Sequence, residues 1–132
     1  MMLVVLEGEF AVARLGATDP IPAWAGQGSL SSVTRTAEEL SIVCAAAAIP
    51  ATVQAERGWR CFRVAGRLDF SLTGVLASIA GPLAAATVSM FAISTYDTDY
   101  VLVREGTVAA AIACLSAAGH EVVEADARSA KA

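Results

Sequence analysis

The residues of this sequence that could do chemistry gather in one short run, Ser94-Thr95-Tyr96-Asp97-Thr98-Asp99, with apolar stretches on both sides. Carboxylates beside hydroxyls suit recognition of an amine. A shielded charge-assisted bond from Asp99 to an ammonium is worth roughly 1.5–3 kcal/mol, and Thr95 and Thr98 could trim selectivity by hydrogen bonding. Asp97 reads equally well as an ordinary turn carboxylate. Tyr96 is open between core packing and a lid over a ligand. An Asp-x-Asp pair offers too few ligands for a metal ion, and an enzyme using Asp97 and Asp99 as an acid/base pair is a second alternative. The lone histidine, His120, follows Gly119 and reads as a surface turn residue with no triad partner. The reading is therefore of a binding protein without catalysis.

A second group lies upstream, where Asp69, Leu72, Gly74 and Val75 mark the start of an apolar helix. A helix N-terminus presents amide N–H groups without helical acceptors, which suits a carboxylate. Residues 71–74 are suited to close backbone approach. Asp69 could take an ammonium, or it could simply cap the helix. Leu72 and Val75, with Ile42 from earlier in the chain, would contact a side chain of modest size.

The elements that must position these groups follow from the hydrophobic pattern. Residues 71–86 are the clearest helix, with Leu72, Val75, Leu76, Ile79 and Leu83 on one face. Gly74, Ala77, Ala80 and Gly81 leave it thin, and Pro82 inside it is a local conflict. Residues 88–93 and 100–104 read as strands of a hairpin around the polar run. Residues 107–117 read as a second helix burying Val108, Ala111, Ile112 and Leu115, with Gly119 as its C-cap. Residues 121–124 are the last strand. With a strand at 59–64, the second half runs strand, helix, strand, strand, helix, strand, the ferredoxin-like βαββαβ order.

The first half reads as an abbreviated copy of that plan. It has one or two strands in residues 3–15 interrupted at Gly8, a short helical turn at 23–25 before Gly26 and Gly28, and strands at 30–34 and 40–44. Thr36-Ala-Glu-Glu39 has capping-box spacing and opens one helical turn. Residues 52–57 read as a loop or helical turn. The fold class is α+β, with two ferredoxin-like units: an abbreviated one at 1–57, a full one at 58–126, and a tail at 127–132.

Composition bounds the rest. The chain has 132 residues, 56% hydrophobic and only 6% aromatic, with a net charge of −4. An acidic chain argues against nucleic acid. Arg57, Arg60, Arg63 and Arg67 read as solvated strand-face and loop charges. Cys44, Cys61 and Cys114 are far apart without metal-site spacing, and read as reduced thiols of a cytoplasmic protein. No metal or cofactor is expected. The N-terminus lacks a signal-peptide pattern, and no apolar run is long and unbroken enough to span a membrane. Small open sheets leave edges and faces to cover, so a homo-oligomer is expected.

Three segments carry a family resemblance. Thr73-Gly74-Val75-Leu76-Ala77 resembles the helix-start signature of ACT domains. The run from Phe91 to Glu105 resembles the small bacterial tandem-ACT proteins, whose domain type also occurs in aspartokinase regulatory regions and the CASTOR arginine sensors. The run from Ser32 to Val43 is similar to the matching stretch of their first unit. The resemblance implies a regulatory module that binds a free amino acid at an inter-unit or dimer interface, acting on a partner enzyme or regulator. Carried over by motif, the site would hold Asp69, Leu72, Gly74 and Val75, then Thr95, Tyr96, Thr98 and Asp99. Ser41, Ile42 and Val43 would form the opposite wall. Leu72 stands where the arginine sensors place an acid, which favours a neutral or apolar ligand side chain over arginine. The alternative is a protein-interaction module that binds no metabolite.

Overall fold

The computed structural model describes residues 1–66 and 74–125. The chain divides into two compact units, Gly8–Trp59 and a second made of Met1–Glu7 with Arg60–Ala132. The first seven residues, expected in the N-terminal unit, thus belong to the C-terminal one. The cause is strand pairing. β1 (Met2–Val5) lies antiparallel to β5 (Ala55–Val64) and parallel to β8 (Glu121–Glu124), with Leu3 opposite Val64 on one side and Val122 on the other. The boundary falls inside β5, which supplies a strand segment to each unit.

In the C-terminal unit the strand order is β6–β7–β5–β1–β8, where β6 is Met90–Ser94 and β7 is Asp99–Arg104. Two helices complete it, α1 (Val75–Ala85) and α2 (Val108–Ala117). Without β1 this is the ferredoxin-like order; β1 is inserted between the first and last strands of the βαββαβ plan. The period-2 alternation explains the core. Leu3 and Val5, Phe62 and Val64, and Val101 and Val103 all turn to one face, where they meet Ile79 and Leu83 of α1 and Ala111 and Leu115 of α2. Both helices therefore cover the same face. Each of the large side chains in this cluster contributes about 1.5–3 kcal/mol by leaving water.

The helix ends are set by backbone chemistry. After α2, Gly119 takes φ 98°, and His120 N–H donates to Leu115 O while Gly119 N–H donates to Ser116 O, a Schellman closure. The same closure ends α1, but there the left-handed position is Thr87, at φ 60°. Pro82 stays inside α1. It has no N–H to give Ser78 O, the carbonyl four residues back. The imidazole of His120 fills that place, with Nε2 2.9 Å from Ser78 O. The conflict expected at Pro82 is thus resolved from another part of the chain. His120 is half-buried and engaged, not a surface turn residue.

The N-terminal unit has the strand order β3–β4–β2–β5, where β2 is Phe10–Leu15, β3 is Ser32–Arg35 and β4 is Leu40–Ala45. This too is ferredoxin-like, with 3-10 turns at Ala23–Gly26 and Ala46–Ala48 where full helices would stand. Prolines 20, 22 and 50 and glycines 26 and 28 keep both segments short. The core under them is built from small residues, Ala11, Ala13, Ala25, Cys44 and Ala46, with Leu40, Ile42 and Ile49. Gly28 has φ 110°, and a Cβ there would lie 3.0 Å from that of Ala45, so only glycine fits.

Three local expectations differ in this unit. Thr36-Ala-Glu-Glu39 opens no helix; it closes the β3–β4 hairpin. Thr36 N–H donates to Glu39 O, and the Thr36 hydroxyl accepts from the N–H groups of Glu38 and Glu39. The bonds that would cap a helix serve a turn, because Leu40 onward pairs with β2. Residues 55–57, read as loop or helical turn, begin β5. Finally, Arg57 is exposed, as a strand-face charge would be, but it is also engaged. Its guanidinium donates to Ala46 O at 2.9 Å and Ile49 O at 3.1 Å, tying down the second 3-10 turn. Arg60, in the C-terminal unit, likewise donates to Leu6 O at 3.2 Å.

Candidate functional site

The two halves of the expected site lie in the C-terminal unit. α1 runs back along β6, because only residues 86–89 separate the end of one from the start of the other. The start of α1 therefore lies at the end of the unit where β6 turns into β7. Gly74 precedes the helix at φ 80° and ψ 0°, a left-handed conformation natural to glycine. The first helical bond runs from Ser78 N–H to Gly74 O at 2.9 Å. The amides of Val75, Leu76 and Ala77 thus stand ahead of the helical ladder, and Gly74 brings no side-chain cap. Val75 is half-buried and packs against the core, so it presents its backbone more than its side chain. Asp69 and Leu72 lie outside the described residues.

The hairpin turn is tighter than the polar run suggested. Ser94 pairs with Asp99, so four residues make the link. Thr95 N–H donates to Thr98 O at 2.8 Å, and Thr98 N–H reaches the Thr95 hydroxyl at 3.3 Å. Thr98 is only 7% exposed, and its hydroxyl donates to Val64 O at 2.7 Å. Its hydrogen is therefore committed to the end of β5, and Thr98 anchors the turn. Tyr96 is 71% exposed, which removes core packing from the two readings of that ring. Asp97 is exposed and Asp99 half-buried. Gly74, Val75, Thr95, Tyr96, Thr98 and Asp99 all belong to the C-terminal unit, the first two at the start of α1 and the others in or beside the β6–β7 turn.

Ser41, Ile42 and Val43 lie on β4 of the other unit. Ile42 is fully buried in that unit's own core, and Val43 is 8% exposed, so neither side chain is displayed to solvent; Ser41 is half-buried. Sequence reasoning missed His120 and Arg57 as structural donors. The signal for His120 was the proline itself, which announces a carbonyl in need of a donor without saying where the donor comes from.

Burial disfavours the thiolate at Cys44 and Cys61. Burial pushes the Cys61 thiol up to about 12, with the nearby Arg63 charge working the other way, and burial also raises Cys44. Cys114 turns its sulfur to Ala111 O at 3.3 Å. Among the described residues no three His, Cys, Asp or Glu side chains converge as a metal site. Nor is any described helix long and apolar enough to cross a membrane.

Two βαββαβ-ordered units, one with its helices reduced to single turns, define a tandem ferredoxin-like α+β protein. The chain belongs to the ACT-domain family: an ACT-domain model matches residues 54–117, and a model for an N-terminal domain matches residues 8–52. A crystallised protein of Agobacterium tumefaciens is 39% identical, with a TM-score of 0.89 over 95% of this chain and 93% of that one. The human protein named cytosolic arginine sensor for mTORC1 subunit 1 is 45% identical over 58 residues, which are 43% of this chain but only 18% of that sensor. The regulatory subunit of aspartate kinase from Thermus thermophilus, in its ligand-free form, shares the fold alone. Its TM-score is 0.59 at 13% identity, over 89% of this chain and 96% of that one.

Proposed function

We propose that this protein is a non-catalytic regulatory module that binds a small free amino acid. What supports the reading is that the start of α1, where Gly74 supplies no side-chain cap, and the Thr-Tyr-Asp hairpin belong to the same C-terminal unit. The amides after Gly74 receive the ligand's carboxylate. Asp99, with Asp69, receives its ammonium, and Tyr96 closes over it. Thr95 lines the turn with its hydroxyl engaged to Thr98 O and N–H, and Thr98 holds the turn in place through Val64 O. Leu72 sets a preference for a neutral or apolar side chain. Support comes from the relatives, one named an arginine sensor and one a regulatory subunit of aspartate kinase. The sensor's name places it in the cytosol, and the same compartment is proposed here, with a homo-oligomer as the working form and an enzyme or regulator as its downstream partner.

The test is a thermal-shift screen of the twenty amino acids against the full chain. A ligand at 100 times its dissociation constant adds about 2.7 kcal/mol of stability, a shift of several degrees. Asp99→Asn is expected to weaken that ligand roughly 10- to 100-fold, the equivalent of one charge-assisted bond. If no amino acid moves the transition at millimolar concentration, the metabolite reading fails and an interaction module that binds only protein takes its place.

A further inference from the structure

The two helices of the C-terminal unit cover the same face of its sheet, yet their sequences support them unequally. α2, VAAAIACLSA, has neither glycine nor proline inside it, and Gly119 takes the left-handed position at its end. α1, VLASIAGPLAA, carries Gly81 and Pro82 in its interior. Both stand at the foot of the helix-propensity order, glycine because a helix restricts it most and proline because it lacks the N–H and crowds the preceding turn. α1 also closes on a strained residue. Thr87, at φ 60°, is the one non-glycine at positive φ among the described residues. That conformation sets the Cβ of an L residue close to the following carbonyl oxygen, and a β-branched residue is a genuine outlier there. At the other end, Gly74 supplies no side-chain cap. What holds α1 comes from outside it. Ile79 and Leu83 are buried in the core, and His120, from the link between α2 and β8, places Nε2 2.9 Å from Ser78 O.

We propose that α1 is a conformational switch: it opens as a unit while the sheet and α2 stay folded, and His120 is the clip that holds it shut. Proteins open first where local support is weakest, in contiguous units of secondary structure. In α1 the weak points lie at the start, in the interior and at the end of one helix. A strained residue persists only while its surroundings over-determine it. Thr87 is fixed by the closure of α1, in which Thr87 N–H donates to Ala84 O and Val88 N–H to Leu83 O. Opening α1 releases Thr87 from the left-handed region and returns backbone freedom to Gly81, and both effects lower its cost. α2 gains neither release, because glycine already occupies its left-handed position. The regulatory meaning rests on the reading above. The amides that follow Gly74 are arrayed for a carboxylate only while α1 is formed. A ligand held there draws the equilibrium toward the closed helix, and its apparent affinity falls with the closed fraction.

Native-state amide hydrogen exchange of the full chain, without added ligand and at rising urea below the unfolding transition, tests the proposal. The amides of Ile79, Ala80, Leu83 and Ala84 in α1 are expected to be at least about tenfold less protected than those of Ile112, Ala113, Cys114 and Leu115 in α2. Their protection should also depend less on urea, because a local opening exposes less surface than global unfolding. Thr87→Gly fits the left-handed backbone without strain and is expected to raise α1 protection about 5- to 30-fold. His120→Ala removes the clip and is expected to lower it about 2- to 10-fold. If α1 and α2 amides share one protection and one urea dependence, α1 opens only with the whole unit and the proposal is overturned. It is overturned equally if Thr87→Gly leaves α1 protection where it was. No amino acid takes part in these measurements, so the switch and the ligand reading fail separately.

Discussion

Replacing His120 by alanine removes the imidazole donor that reaches Ser78 O across the gap made by Pro82. The bond is 2.9 Å long and joins half-buried groups. Its loss leaves a carbonyl that the helix cannot satisfy, because residue 82 has no N–H. A neutral hydrogen bond is worth about 0.5–1.5 kcal/mol net, and an orphaned buried acceptor costs about 1–3 kcal/mol. Water reaches a half-buried carbonyl in part, so His120→Ala is expected to cost about 1–1.5 kcal/mol. Pro82→Ala restores an amide four residues after Ser78 and closes the ladder. In that background the imidazole is no longer needed, and His120→Ala should cost at least about 1 kcal/mol less. The double-mutant cycle reads this coupling directly. Urea unfolding followed by helical far-UV ellipticity is the assay, since both α-helices belong to the C-terminal unit, whereas Trp24 and Trp59 lie in the other. With a slope of about 2 kcal/mol per molar urea, the coupling appears as a difference of about 0.5 M in midpoint shift. If His120→Ala is equally destabilising with proline or alanine at position 82, the imidazole acts through packing and the hydrogen-bond account is refuted.

Two further predictions concern the turn and the buried thiol. Thr98→Val keeps the shape of the only buried polar side chain among the described residues but removes its bond to Val64 O; it is expected to cost about 1–3 kcal/mol in urea unfolding, and a loss under about 0.5 kcal/mol would show that the hydroxyl does not anchor the hairpin. The Cys61 thiol is held protonated up to about 12 in the fold, while its ordinary value is 9.0, so its contribution to stability is fully present below 9.0 and is lost progressively as pH rises toward 12. The stability advantage of wild type over Cys61→Ala should therefore shrink by about 2 kcal/mol between about pH 8 and pH 10.5; a constant difference over that range would contradict the assigned burial effect.

Much of the fold was legible because local periodicity is written in neighbouring residues. Ile79 with Leu83, and Ala111 with Leu115, recur at helical spacing, and these are the residues the helices bury. Gly119 stood at the end of such a run and closes α2 as expected. The candidate site was legible in type, as a polar turn and a helix start, but not in the division of labour within it. A threonine in a turn can serve a ligand or its own backbone, and which one Thr98 serves depends on where Val64 O lies. Thr36-Ala-Glu-Glu39 misled for a related reason. The same hydroxyl-to-amide bonds cap a helix or close a hairpin, and the pairing of Leu40 onward with β2 selects the second.

The sequence by itself determined the strand and helix order, the αL glycines at the turns and the small-residue core of the first unit. Tertiary structure alone decided that Met2–Val5 joins the C-terminal unit, that Arg57 serves carbonyls of the second 3-10 turn, and that His120 completes α1. The reason is common to all three. Strand pairing and side-chain bonds to backbone carbonyls join residues that are distant in sequence, as Met2 and Glu121 are, and no local pattern encodes a partner that only chain folding brings near.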